Sequence, residues 1–104
     1  MPIYVGSINL LFDMGAVYTT SGIRALMDGQ GLDVIPYLER HVSGDFGELC
    51  HEDEAANRAA IYGQGRVFSV YFFIPPRDPD NRIKLWVITE ADRSTTTVLL
   101  PDEY

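Results

Sequence analysis

KLWVITEADRSTTTVLL, residues 84–100, holds two runs that alternate at the period of a β-strand, and EADRS between them has the polar composition of a turn. Trp86, the only tryptophan, shares one strand face with Ile88. Just upstream, RVFSVYFFI (66–74) also has period 2: Phe68, Val70, Phe72 and Ile74 fall on one side, and Val67, Ser69, Tyr71 and Phe73 on the other. A strand apolar on both sides is expected to be central or covered twice. PPRDPDN, with three prolines, cannot continue a ladder, so it is read as the long tip of an antiparallel hairpin. TTTVLLP then supplies a third strand, which Pro101 ends.

The chain before this ribbon reads mainly as helix. Residues 3–12, IYVGSINLLF, are expected to be extended and broken by Gly6, and AVYT is a short β-like piece. Thr20 is placed to cap a helix with Ile23, Leu26 and Met27 on one stripe, ended by Gly29 and Gly31. Asp33 is placed to cap a second, in which Pro36 falls in the first turn and Val34, Ile35, Leu38 and Val42 form the apolar stripe. SGDFGELC (43–50) is expected to be a loop whose Phe46 and Leu49 turn back into the core. HEDEAANRAAIY (51–62) follows as a third helix, with Glu52, Asp53 and Glu54 in the first turn where the helix dipole favours carboxylates. Glu54 and Arg58 are spaced for an i,i+4 ion pair, and Ala55, Ala59 and Tyr62 are the expected buried face.

Helices followed by strands argue for an α+β domain. The expected architecture is a small antiparallel sheet, a C-terminal three-stranded meander plus an N-terminal strand, with about three helices on one face. The 104 residues suit a single domain, 1–104, and 46% hydrophobic content gives it a core. One cysteine, Cys50, excludes an internal disulfide and a four-cysteine zinc site. No run reaches the roughly 18 apolar residues of a membrane span, and the first residues lack the basic group of a signal peptide. A cytoplasmic location is the expectation.

Eight basic against fifteen acidic residues give a net charge of −7, which disfavours direct contact with a phosphate backbone and suits a basic protein surface. His41, Cys50 and His51 match no zinc spacing, and adjacent Cys50 and His51 opening a helix would not aim at one atom. No metal and no cofactor is expected. Between Asp45 and Glu54 lie five acids and no Lys or Arg, an acidic edge. Glu90, Asp92 and Arg93 stand in the turn between the last two strands, where Arg93 could pair with either acid. Glycine-rich phosphate loops, GxSxG and HExxH are all absent.

HVSGDFGEL (41–49), the EDEAANRAA helix and above all WVITEADRSTTTVLLPDEY (86–104) resemble a family of short reading frames carried on plasmids, phages and integrated elements, to which no activity is attached. IPPRDPDNR (74–82) is longer than the tight hairpin expected there, a local elaboration. The resemblance implies no catalytic residue. It implies a mobile-element setting, in which small acidic proteins often block host defence.

The expected function is therefore a non-enzymatic protein-binding module of anti-CRISPR or anti-restriction type, which inhibits a host defence effector by binding a basic, nucleic-acid-handling protein such as a CRISPR or restriction effector. Its expected contacts are Asp45, Glu48, Glu52, Asp53, Glu54, Glu90 and Asp92. Two rivals stand beside it: a homodimeric accessory factor pairing through the apolar strand, and a small hydrolase using His41, Asp45 and Glu90.

Overall fold

The hairpin read from the alternating runs is the spine of the structure. A computed structural model of the chain describes residues 10–104. Most of the extended segment expected over 3–12 lies outside the described residues. The element order is β1 (Ala16–Thr19), α1 (Ser21–Gln30), α2 (Ile35–Val42), α3 (His51–Tyr62), β2 (Val67–Phe73), β3 (Ile83–Thr89), β4 (Thr95–Leu99) and a 3₁₀ turn, Pro101–Glu103. β2 pairs antiparallel with β3, Val67 opposite Thr89 and Phe73 opposite Ile83. β3 pairs antiparallel with β4, Trp86 opposite Leu99. The fold is α+β, as the segregated pattern implied. The sheet has four strands in the order β1-β4-β3-β2, and it differs from the expected antiparallel one in being mixed, with the N-terminal strand β1 parallel to β4. Three helices separate β1 from β4's hairpin partners in sequence, and that length of chain is what a parallel return requires.

The strand period sorts side chains between two faces. Val67, Tyr71 and Phe73 of β2, Leu85 and Val87 of β3 and Val98 of β4 point to the side on which all three helices lie. There they meet Ile23 of α1, Leu32, Val34 and Leu38 in one buried cluster, with Phe46 and Ala60 forming a second around Val67. Gly31, at φ 71°, ends α1; the cap position of α2 falls to Val34, not to Asp33 as expected, and Asp33 accepts the Ile35 N–H at 3.0 Å from just before the helix. Thr20 occupies the cap position of α1 without capping it through its side chain. Ile35, expected in the buried stripe of α2, is exposed.

The face of α3 also departs from expectation. Ala55, Ala59 and Tyr62 are exposed, Tyr62 at 89%, and the residues buried are Asn57 and Ala60. The reason is the strand on which the helix rests. β2 lies at the edge of the sheet, not at its centre, so its outward N–H and C=O groups need partners. Asn57 serves as one: its Nδ2 donates to the Phe68 carbonyl at 2.5 Å and its Oδ1 accepts the Phe68 N–H at 3.0 Å. Two residues on, the Val70 N–H donates to Phe46 O and the Glu48 N–H donates to Val70 O. Gly47 permits this approach, since at φ 74° a Cβ would fall 1.9 Å from Val70 O. At Phe72 the carbonyl accepts the Tyr37 hydroxyl at 3.3 Å. Alternate residues along this edge are thus closed by the helical layer, which is why β2 can be apolar on both sides and still end the sheet.

Candidate interaction surface

The acids expected to meet a partner fall into two groups at opposite ends of α3. Glu52, Asp53 and Glu54 open the helix, with Glu54 paired to Arg58 Nη2 at 2.9 Å, the i,i+4 pair read from the spacing. Glu48 lies beside them, its N–H on β2. Asp45 is held by Arg40, Nε to Oδ2 at 2.7 Å and Nη2 to Oδ1 at 3.3 Å, and this partner keeps its carboxyl below the usual carboxylate range. Glu90 and Asp92 belong to the β3–β4 turn, at the far end. Asp92 accepts both the hydroxyl and the N–H of Ser94, which lowers its pKa and leaves it a turn-forming residue.

Arg93 pairs with neither acid. At φ 61° it turns back on the end of α3, donating to Ala60 O at 2.7 Å and to Gly65 O at 2.6 Å. The Ala60 carbonyl belongs to the last turn of α3, so a guanidinium there caps the C-terminus and complements the dipole, while the bond to Gly65 ties down the chain just beyond the helix. Sequence proximity to Glu90 and Asp92 suggested a pair, but Glu90 meets Arg66 and Asp92 holds Ser94, and Arg93 serves backbone carbonyls instead.

His41, candidate base of the hydrolase alternative, is wholly buried. Its partners form a chain whose polarity can be assigned. Thr96 Oγ1 donates to Met14 O at 2.8 Å, which uses its one proton, so Thr89 Oγ1 donates to Thr96 at 2.6 Å. Thr89 must then accept from His41 Nε2–H at 2.9 Å, leaving Nδ1 to accept the Ser69 hydroxyl at 2.6 Å. The imidazole is neutral, because burial drives its pKa down to about 3. Ser69, Thr89 and Thr96 are likewise fully buried, so this hydroxyl–imidazole pair faces no solvent. His41, Asp45 and Glu90 each have a different partner in a different environment: the Ser69–Thr89 chain, Arg40 and Arg66. Cys50 and His51 are exposed at the start of α3. Among the described residues no group of three or more His, Cys, Asp or Glu is placed to hold a metal ion, and no helix is long and apolar enough to cross a membrane.

The surface with an unusual composition is the other face of the sheet, which none of the three helices of the described residues covers. Phe68, Trp86, Ile88, Thr97 and Leu99 project there, Ile88 and Leu99 buried, and the Pro101–Glu103 turn and Tyr104 fold against it. The Phe68 ring meets Trp86 edge-on at 5.1 Å between centroids, and Tyr104 meets Trp86 at 5.7 Å and 70°. Between them lies a hollow of about 260 Å³ bordered by Arg66, Phe68, Trp86, Ile88 and Tyr104. An adjoining hollow of about 220 Å³ shares Arg66, Ile88 and Tyr104 and is edged by Glu90 and Glu103.

Each wall has a structural cause. The β2–β3 register places Val67 opposite Thr89, so Arg66 and Glu90 are the next cross-strand neighbours, and their charges meet at 3.4 Å. Arg66 Nη1 also donates to the Tyr104 hydroxyl at 2.7 Å, with its guanidinium 5.6 Å from the centre of that ring. Tyr104 is positioned by its neighbour Glu103. That carboxylate accepts the Thr20 hydroxyl at 2.5 Å, the Gly22 N–H at 2.9 Å and the Leu100 N–H at 2.9 Å, capping α1 from the far end of the chain. The Thr20 hydroxyl is the foremost cause of its lowered pKa. Gly22 allows this approach, because a Cβ there would meet Glu103 Oε2 at 2.8 Å.

Trp86 and Ile88 were readable as face partners from the strand period, but Arg66 and Tyr104 were not readable as walls. The signal for Arg66 was the charge pair flanking the hairpin, Arg66 and Glu90, which becomes visible only once the register is known. Comparison with protein-family models, with curated proteins and with solved structures gives no match, so what this surface can do rests on its own chemistry.

Proposed function

We propose that the chain is a non-enzymatic protein-binding module, with the open sheet face as its anchor and its acids as the steering charge. The observation that carries this reading is Trp86: the one tryptophan lies in a sheet face without helices, flanked by Phe68, Tyr104 and Arg66. Tyr, Trp and Arg are the residues that most often dominate the binding energy of protein interfaces, and an apolar centre with a charged rim is the usual anatomy. The net charge of −7 favours a basic partner and accelerates the encounter. Asp45, Glu48, Glu52, Asp53 and Glu54 supply charge at one end of α3, and Glu90 and Asp92 at the other. A basic, nucleic-acid-handling protein of host defence, blocked by occupation of its binding channel, is the target class that the charge and the mobile-element resemblance favour.

The test is affinity capture from host lysate at low and moderate salt, with wild type and Trp86→Ala side by side. Capture of a basic protein that is released by salt and lost in Trp86→Ala is the expected result. Capture unaffected by both salt and the substitution removes this reading of the surface.

A further inference from the structure

Going beyond that reading and not depending on it, we infer that the Tyr104 side chain is a gate over the open face. Arg66 latches it, and its outward turn joins the two hollows into one groove. The hollows define what is gated. One is bordered by Arg66, Phe68, Trp86, Ile88 and Tyr104; the other shares Arg66, Ile88 and Tyr104 and extends to Thr20, Thr97 and Leu99. Of the three shared residues, Ile88 is fixed in β3 and only 5% exposed, so it is floor. Arg66 stands at the rim, matched by Glu90. Tyr104 is therefore the partition. With its ring turned away, hollows of about 260 and 220 Å³ run together from Phe68 past Trp86 to Leu99, a trough of the size that ligand pockets have.

The latch is built to release. Tyr104 is 70% exposed, so most of its ring already faces water and its outward turn gives up little burial. The turn breaks the bond from Arg66 Nη1 to the hydroxyl at 2.7 Å and the edge contact with Trp86 at 5.7 Å. It strands no charge, because Arg66 keeps Glu90 at 3.4 Å and water takes the hydroxyl. The main chain beneath the gate is secured separately. Glu103 holds Thr20, Gly22 and Leu100, and the Tyr104 N–H donates to Pro101 O at 3.4 Å. Rotation about χ1 alone thus moves the ring, on the picosecond-to-nanosecond scale of exposed side chains, and leaves the turn and the α1 cap in place. Tyr71 shows the opposite case. At 1% exposed, with its hydroxyl on Asp45 O at 2.7 Å, it could not turn without opening a cavity in the core.

The experiment separates a gate from a fixed wall in the isolated protein, so its outcome is independent of any capture from lysate. Wild type is compared with Tyr104→Phe and Tyr104→Ala. The first keeps the ring and its edge contact with Trp86 but removes the hydroxyl that Arg66 holds; the second removes the ring. Three-bond couplings at position 104 give the χ1 rotamer populations. Acrylamide quenching of the single tryptophan reports how often Trp86 is uncovered. Loss of the one hydrogen bond is expected to raise the open-to-closed ratio about threefold to tenfold in Tyr104→Phe. Quenching should rise from wild type to Tyr104→Phe to Tyr104→Ala. Nile red, a neutral apolar dye for which charge plays no part, should bind Tyr104→Ala more tightly than wild type. The same χ1 populations and equal quenching in wild type and Tyr104→Phe would make Tyr104 a fixed wall and overturn the inference. Weaker dye binding in Tyr104→Ala than in wild type would overturn it as well, because the ring would then belong to the site and not cover it.

Discussion

Successive residues of β3 live in two different solvents. Leu85 and Val87 point under the helices and are fully buried, while Trp86 between them points to the open face, half-buried among Phe68, Tyr104 and its neighbours on β4. The helix-covered face even holds a polar chain, His41 with Ser69, Thr89 and Thr96, and satisfies every proton in it. The open face holds large rings and leaves a hollow among them. A core tolerates buried polar groups when they are paired, because an unpaired one costs about 1–3 kcal/mol. It does not retain unfilled space beside a tryptophan, because packing density would be lost. The difference teaches that the covered face is filled and its polar groups paired, whereas the open face keeps large rings around a hollow.

The largest test of that contrast is a pair of truncations. Leu85→Ala, in the covered face, is expected to cost about 2–5 kcal/mol in urea unfolding. Trp86→Ala, although it removes a larger side chain, is expected to cost less, since part of that surface already faces water. An equal or greater loss at Trp86 would mean that both faces form one stabilising core.

Acid sharpens the comparison at the polar chain. Burial holds the folded His41 pKa at about 3 against an ordinary 6.5, so between those values the unfolded chain binds a proton that the folded chain refuses. The stability is complete above pH 6.5 and is lost as pH falls toward the folded value. At about 1.4 kcal/mol per unit, the loss between pH 6.5 and 4 is on the order of 3 kcal/mol. Unfolding midpoints across that range should fall for wild type and lose most of the slope in His41→Leu. If that variant is too unstable to measure, the imidazole resonances of wild type, titrated directly, should stay in the neutral form down to pH 4.

The smallest effect concerns the edges. Asn57→Ala removes the amide that closes β2 at Phe68 and should cost about 1–3 kcal/mol. It should also raise self-association in sedimentation, because the freed strand edge becomes a template for another chain. A destabilised but strictly monomeric variant would limit Asn57 to stability.

The hairpin, the helices and the α+β segregation were legible because each rests on local periodicity, which is written in residues a few positions apart. The buried face of α3 was not. Ala55, Ala59 and Tyr62 fit a helical stripe as well as any, and what chose the other side was the need of the edge strand for Asn57. Arg93 was expected to pair with Glu90 or Asp92, but its acceptors are backbone carbonyls: those of Glu90 and Ala91 in its own turn, and those of Ala60 and Gly65, about 30 residues back in the chain.

For the candidate surface the division is the same. Residue order determined that Trp86 and Ile88 would share a face, that Glu54 would meet Arg58, and that the chain would carry net negative charge. Only the tertiary structure decided which face the helices left open, that Glu103 would cap α1 and so place Tyr104 over Trp86, and that His41 would be sealed inside. Alternation fixes which side chains stand together, whereas the side that is covered depends on contacts between segments distant in sequence, and no local pattern encodes those.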